Sequence, residues 1–301
     1  MATVPTPQAS VSRARTYASF VRLEHTLFSL PLLLAGVFSA RGPALALARW
    51  GLIAIAAVGA RTSAMALNRI VDRRLDALNP RTAVRELPSG RMSPREAWVL
   101  LLVSAAAYLA ACAALGRWYL LVAPVPLAVF ATYPYLKRFT PFCHFGVGLA
   151  LALAPLAGFA AAHPALESPG PALWLAAFAF VWVAGFDVIY ATLDEEFDRA
   201  NGVHSLVAWL GRTRALRVSG LLHSIAGYLL IPVAVLIVGP LEGRPLWRVA
   251  PPFALCVVAY ALLKLEQRWA EDVNLAFFKV NVWVGFVVLA IVLAGRAVQG
   301  F

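Results

Sequence analysis

Nine stretches of this chain are apolar over roughly the length needed to cross a bilayer, and that pattern constrains the fold more than any other feature. They lie near residues 23–40, 51–68, 97–115, 118–135, 143–162, 172–192, 215–238, 250–265 and 275–295. A helix needs roughly 20 apolar residues to span the hydrocarbon core, and in lipid the backbone must satisfy its own hydrogen bonds, as a helix does. The expected fold is an all-α integral membrane protein, with about nine transmembrane helices in a bundle around a central cavity. Composition excludes a soluble enzyme: 61 % of the 301 residues are hydrophobic and 14 % charged, where a soluble domain carries about a quarter charged. Residues 1–20 are polar, without the apolar core or cleavage site of a signal peptide. They read as a short disordered cytoplasmic tail, leaving 21–301 as a single transmembrane domain.

Lysine and arginine number 26 against 15 acidic residues. In a membrane protein such an excess reflects the gathering of basic residues in cytoplasmic loops, so no nucleic-acid partner is expected. Placing the N-terminus with the loops after the second, fourth, sixth and eighth runs collects nineteen basic residues on that side against six opposite, with Arg61 inside the second run. The N-terminus is therefore expected in the cytoplasm and the protein in the inner (cytoplasmic) membrane. The long polar segments 77–95 and 199–214 fall on the same side, which places the chemistry there. Cys112, Cys143 and Cys256 sit in apolar surroundings without metal-ligand spacing and read as packing residues.

Seven of the fifteen acids fall in two segments: Asp72 and Asp76 in NRIVDRRLD, and Asp187, Asp194, Glu195, Glu196 and Asp198 in DVIYATLDEEFD. Asn68, Asp72 and Asp76 are spaced by four, which keeps them on one helical face with about 40° of drift per step. Asp194 and Asp198 repeat the spacing, with Tyr190 and Asp187 one and two turns earlier. Each helix would carry a ladder of oxygen ligands. Carboxylates so close to an apolar span cost several kcal/mol unless neutralised. With no lysine between the two ladders and no histidine or cysteine in either segment, the ladders suggest a hard divalent cation such as Mg²⁺, which takes few protein ligands and shares substrate phosphate. The alternative is a pair of solvated helix ends salt-bridged to neighbouring arginines.

Anion-binding groups surround these acids: Arg69, Arg73 and Arg74 interleave the first ladder, RTAVRELPSGR supplies Arg81, Arg85 and Arg91, and Lys137 and Arg138 end YPYLKRFT. Cations beside carboxylates at a membrane surface fit a metal-bridged diphosphate; contact with lipid phosphate is the plainer role for Arg73, Arg74 and Arg91. Arg61 lies about 10 Å deeper than Asn68 on the same face. It either pairs with Glu24 or a ladder carboxylate, or holds the carboxylate of an organic acid. Arg22, Glu24 and His25 form a second polar cluster, and His25 and His204 read as hydrogen-bonded interfacial residues.

These residues resemble the UbiA superfamily of intramembrane prenyltransferases over nearly the whole chain. The resemblance rests on NRIVDRRLD with NPRTAVRELPSGRMS, on YPYLKRFT, on DVIYATLDEEFDRANGVHSLVAWLG, and more weakly on VRLEHTLFSLP and FFKVNVWVG. It implies Mg²⁺-dependent transfer of a polyprenyl group from a polyprenyl diphosphate to an aromatic acid in quinone biosynthesis. The acceptor it favours is 4-hydroxybenzoate, with 1,4-dihydroxy-6-naphthoate of a menaquinone route as the alternative. Carried over, the metal role falls on Asn68, Asp72, Asp76, Asp187, Asp194 and Asp198. Catalysis falls on Asp72, Asp76, Asp194, Asp198 and Tyr190, diphosphate binding on Arg69, Arg81, Arg85, Lys137 and Arg138, and acceptor binding on Arg22, Arg61 and Tyr133. Leu193 and Phe197 depart from the second motif, where many relatives carry Gln and some a further aspartate. A cation transporter and a membrane phosphotransferase are the rival classes. The first would not need the arginine loop, and the second carries one dense aspartate motif rather than two separated ones.

Overall fold

A computed structural model describes residues 12–22, 26–40, 42, 44–268 and 280–300, and these are helical with no strand among them. The helices are α1 (Arg13–Phe20), α2 (Thr26–Val37), α3 (Leu47–Leu78), α4 (Pro94–Leu115), α5 (Arg117–Val122), α6 (Pro124–Leu136), α7 (Cys143–Ala162), α8 (Gly170–Ala191), α9 (Glu195–Ala200), α10 (Leu206–Leu210), α11 (Arg212–Val238), α12 (Leu246–Arg268) and α13 (Asn281–Val298). Every apolar run meets a helix. Eight segments are long and apolar enough to cross a membrane among the described residues. The run at 23–40 is covered by α2, twelve residues long, with 23–25 outside the described residues. The fourth run is divided: α5 ends at Val122 and α6 starts at Pro124, where proline's missing N–H is tolerated because a first-turn donor has no helical partner.

The tail differs from its expected disorder in its second half. Residues 1–11 lie outside the described residues, but Arg13–Phe20 is a helix with Ser12 as its N-cap. The physical reason is burial of one face. Phe20 is fully buried in a cluster with Ala66, Leu87, Met92, Ala97 and Leu101, while Tyr17 donates to Glu96 and Arg13 pairs with the same carboxylate. Glu96 also closes a capping box with Ser93 at the start of α4.

Helix α8 is the axis of the larger core. Trp182, Phe178, Leu175 and Val183 are fully buried there, packed with Leu230, Val233 and Ala226 of α11 and with Val284, Val288 and Ile291 of α13. Small residues let the backbones close up, as lipid-solvated helices require. A Cβ at Gly148 of α7 would come 2.3 Å from the Phe180 carbonyl oxygen of α8. Helix α3 is long, about 48 Å at 1.5 Å per residue, and packs against α4 and α6. Its last three turns extend the first aspartate ladder towards the end of α8.

Candidate active site

Both aspartate segments open onto one cavity of about 210 Å³, walled by the ends of α3, α6, α7, α8 and α9 and by the loops after α3 and α9. Among the residues singled out from sequence, Asn68, Asp72, Asp76, Arg81, Arg85, Tyr133, Lys137, Asp187, Tyr190, Asp194 and Asp198 line it. Arg22, Arg61, Arg69 and Arg138 are not part of this wall.

The first ladder stands on uninterrupted helix. Asp72 and Asp76 are 2 % and 6 % exposed, so each needs a compensating charge. Asp72 Oδ2 accepts from Lys137 Nζ at 2.6 Å and from Asn68 Nδ2 at 3.3 Å, and the Arg138 guanidinium lies 3.5 Å from Oδ1. Arg138 itself is tied to the carbonyls of Pro134 and Val71. Asp76 Oδ1 accepts from Arg85 at 2.7 Å. Arg73 and Arg74, between the two acids, are exposed and face away. The separation of the ladders from lysine is corrected here, because Lys137 from the YPYLKRFT segment sits directly on Asp72.

The second set is not one continuous ladder. Helix α8 ends at Ala191, a 3-10 turn covers Thr192–Asp194, and α9 restarts at Glu195. Asp194 adopts φ −114° and ψ 8°, outside helical geometry. It is held by the loop after α3: Asn79 Nδ2 donates to its Oδ1 at 2.7 Å, Arg81 Nε donates to the same oxygen at 2.8 Å, and Arg81 pairs with Oδ2. Arg81 also donates to the Tyr190 hydroxyl at 2.8 Å, with its guanidinium carbon 5.0 Å from the centre of that ring. Burial alone would lower the Arg81 guanidinium, but its hydrogen bonds and charge contact with Asp194 outweigh this and hold it above its ordinary value. Asp187, a turn before Tyr190, pairs with His144 at 2.7 Å.

Arg69 is buried at 4 % exposure on α3, with its Nε lacking a hydrogen-bond partner, in the field of Arg85, Arg22, Asp76 and Glu86. Arg61 donates to the carbonyl of Arg22 at 2.7 Å, so it closes the end of α1. Arg22 itself sits at φ 50°. Glu24 and His25, which the sequence places beside them, lie outside the described residues. Sequence reasoning missed Asn79 and His144, both of which line the cavity. Asn79 stands before a proline, a turn signal that could have flagged it, and His144 is a lone polar residue in an apolar run.

The donor chemistry fits a hard divalent cation in one respect and differs from expectation in another. Asp72 Oδ1 and Asp76 Oδ2 are buried without a hydrogen-bond partner, and oxygen donors of this kind suit Mg²⁺. Yet no three acids, histidines or cysteines come close enough to enclose an ion among the described residues. The carboxylates have instead drawn in the nearest cations, as expected of buried charges.

A model of the UbiA prenyltransferase family matches residues 29–295. The 4-hydroxybenzoate octaprenyltransferase of Cupriavidus necator is 31 % identical, covering 96 % of this chain and 98 % of that protein. The Aliivibrio salmonicida protein of the same name is 27 % identical over 94 % and 98 %. Among solved structures, a UbiA homolog from Aeropyrum pernix superposes with a TM-score of 0.78 at 35 % identity, covering 90 % of this chain and 98 % of the other. A UbiA homolog from Archaeoglobus fulgidus bound to GPP and Mg²⁺ shares the fold at a TM-score of 0.70 and 21 % identity, over 95 % of this chain and all of the other.

Proposed function

The chain belongs to the UbiA prenyltransferase family and is a multi-pass membrane prenyltransferase, and on that premise we propose that it joins a polyprenyl group to an aromatic carboxylic acid, 4-hydroxybenzoate first among the acceptors. The observation that carries this reading is the meeting of two aspartate segments and three cations, Arg81, Arg85 and Lys137, around one cavity. We place the cavity on the cytoplasmic side of the inner membrane, in a single domain over 21–301, in keeping with the excess of basic residues there.

In this reading Asn68, Asp72, Asp76, Asp187, Asp194 and Asp198 hold Mg²⁺ with help from substrate phosphate. When bound, the ion supplies charge neutralisation to the departing diphosphate. Arg81, Arg85 and Lys137 already stand at the wall and turn from their carboxylates to the diphosphate oxygens, with Arg69 and Arg138 adding positive field behind them. Tyr190 is held at the same end by Arg81. As the allylic carbon–oxygen bond breaks, electrons pass to the leaving group. A ring carbon beside the phenol hydroxyl then bonds to the allylic carbon, and its proton passes to the released diphosphate, a cavity carboxylate or Tyr190, which restores aromaticity. Apolar helices on the membrane side keep water from competing. Arg22, Arg61 and Tyr133 form the acceptor end, where a guanidinium meets the carboxylate of the aromatic acid.

The test is prenyl transfer in membranes with Mg²⁺ and a labelled polyprenyl diphosphate, offering 4-hydroxybenzoate and 1,4-dihydroxy-6-naphthoate separately. Product from the first acceptor is expected. Product from the naphthoate alone would move the enzyme to a menaquinone route, and no Mg²⁺-dependent product from either would overturn the acceptor class. Arg61→Ala should raise KM for the acid far more than for the diphosphate. An equal loss for both would reduce Arg61 to its bond with the Arg22 carbonyl.

A further inference from the structure

Asp187 differs from the other cavity aspartates in its partner. Its Oδ2 lies 2.7 Å from Nδ1 of His144, a residue on the first turn of α7 that is 2 % exposed and reaches the cavity wall. The other ring nitrogen is engaged too: the backbone N–H of Leu206, the first residue of α10, donates to Nε2 at 3.2 Å. A backbone amide can only donate, so Nε2 must accept. The ring proton then belongs on Nδ1, where it is donated to Asp187. One imidazole thus ties an aspartate of α8 to the loop that follows the second motif.

The backbone around the ring keeps it in place. Gly148, one turn along α7 from His144, brings α7 against α8, since a Cβ there would meet the Phe180 carbonyl oxygen at 2.3 Å. Across the cavity mouth the 203–206 loop is sewn to the same end of the bundle. His204 N–H donates to the Lys137 carbonyl at 2.7 Å and Val203 N–H to the Asp198 carbonyl at 2.9 Å, while the Ser205 hydroxyl caps α10 through Ala208 N–H at 3.1 Å. Lys137, Asp187 and Asp198 therefore belong to one hydrogen-bonded assembly.

We infer that His144 is a positioning residue for the cavity, holding the Asp187 carboxylate in one orientation through Nδ1 while Leu206 fixes the ring through Nε2. This rests on the reading of Asp187 as a ligand to a divalent cation. Outer partners that orient a ligating side chain are worth about ten- to a hundredfold in metal affinity. The effect is expected on cation binding and not on the step that breaks the carbon–oxygen bond.

The two amide side chains separate this from simple space-filling. His144→Asn can offer an N–H near the Nδ1 position, whereas His144→Gln reaches only towards the Nε2 position and loses the bond to Asp187. The purified full chain in nanodiscs is titrated with Mn²⁺, followed by electron paramagnetic resonance in the presence of an unreactive prenyl thiolodiphosphate, and with Mg²⁺ in the transfer assay. His144→Gln should weaken Mn²⁺ binding by about tenfold or more, with the Mg²⁺ requirement rising in step and kcat at saturating Mg²⁺ much less affected. His144→Asn should recover most of the affinity. Equal effects of the two variants, or none while Asp187→Asn weakens Mn²⁺ binding, would overturn the role of His144. Unchanged binding in Asp187→Asn would overturn the ligand reading and the inference together. A measurement on the unaltered protein guards against variants that do not fold: its ¹⁵N-histidine spectrum should contain a buried ring protonated at Nδ1 and bare at Nε2. A His144 ring carrying a proton on Nε2 overturns the inference.

Discussion

The end of α3 and the segment that continues α8 carry the same aspartate spacing, Asp72 with Asp76 and Asp194 with Asp198, and solve its cost in different ways. In α3 only 22 % of the most apolar window is buried within the protein, against 67 % for the segment containing α8. The lipid-facing helix stays regular through Asp72 and Asp76, and charges from α6 and from nearby in sequence come to it. The core helix breaks at Thr192–Asp194, and Asp194 is held from outside by Asn79 and Arg81, residues 115 and 113 positions earlier in the chain. A helix packed on most sides has little room to bring cations to its own carboxylates, so its ladder ends where a loop from the other half can reach it. The α3–α4 loop thereby becomes a bridge: Arg85 serves the first ladder and Arg81 the second.

The contrast can be tested by removing its parts in turn. Asp72→Ala and Asp194→Ala should each cut turnover by at least about a hundredfold, the upper end for loss of an outer partner, with the protein still folded by circular dichroism. Near-normal rates in either would mean that the two segments do not act together. Next in size are the cations. Arg81→Gln, which releases Asp194 and Tyr190 at once, should cost more than Lys137→Gln, because Arg138 remains beside Asp72. About tenfold or more is expected for Arg81, and a larger loss in Lys137→Gln would reverse the assignment of bridge and ladder. Gly148→Ala probes the close packing of the α8 side: the added methyl meets backbone, and about 1–3 kcal/mol of stability should be lost, read as a lower melting temperature in detergent. A matched substitution at Gly51 of α3, where a Cβ would meet nothing within 4 Å, should leave the melting temperature in place. The smallest effect belongs to Arg73→Ala. That residue is exposed, and rates within about twofold of the parent protein are expected from the low worth of surface charge contacts; a large loss would mean that the outer face of α3 also meets substrate.

Much of this is legible in the sequence. The apolar runs located the helices because a membrane span is a length and composition requirement that a single segment meets by itself. The Asn68, Asp72, Asp76 face was legible because a four-residue spacing maps directly onto helical geometry. The same rule misread the second set, since it assumed an unbroken helix through Asp194, and it placed the cations only roughly. Nothing local to residue 137 says that its ammonium group will reach Asp72, and nothing local to His144 says that it will face Asp187. The short tail helix was missed for a similar reason: Arg13–Phe20 is too short to be stable alone, and it forms because Phe20 finds a pocket made by α3, α4 and the loop between them.

The sequence by itself determined that the chain lies in a membrane, where its long apolar helices run, and which residue types gather at the cavity, because hydrophobic length, helical period and charge asymmetry are properties of contiguous residues. Only the tertiary structure decided which cation neutralises which carboxylate, where the second ladder breaks, and that a buried histidine joins Asp187 to the following loop. Those outcomes depend on contacts between residues far apart in the chain, and a buried charge takes whichever partner the packing of helices brings within a few ångströms.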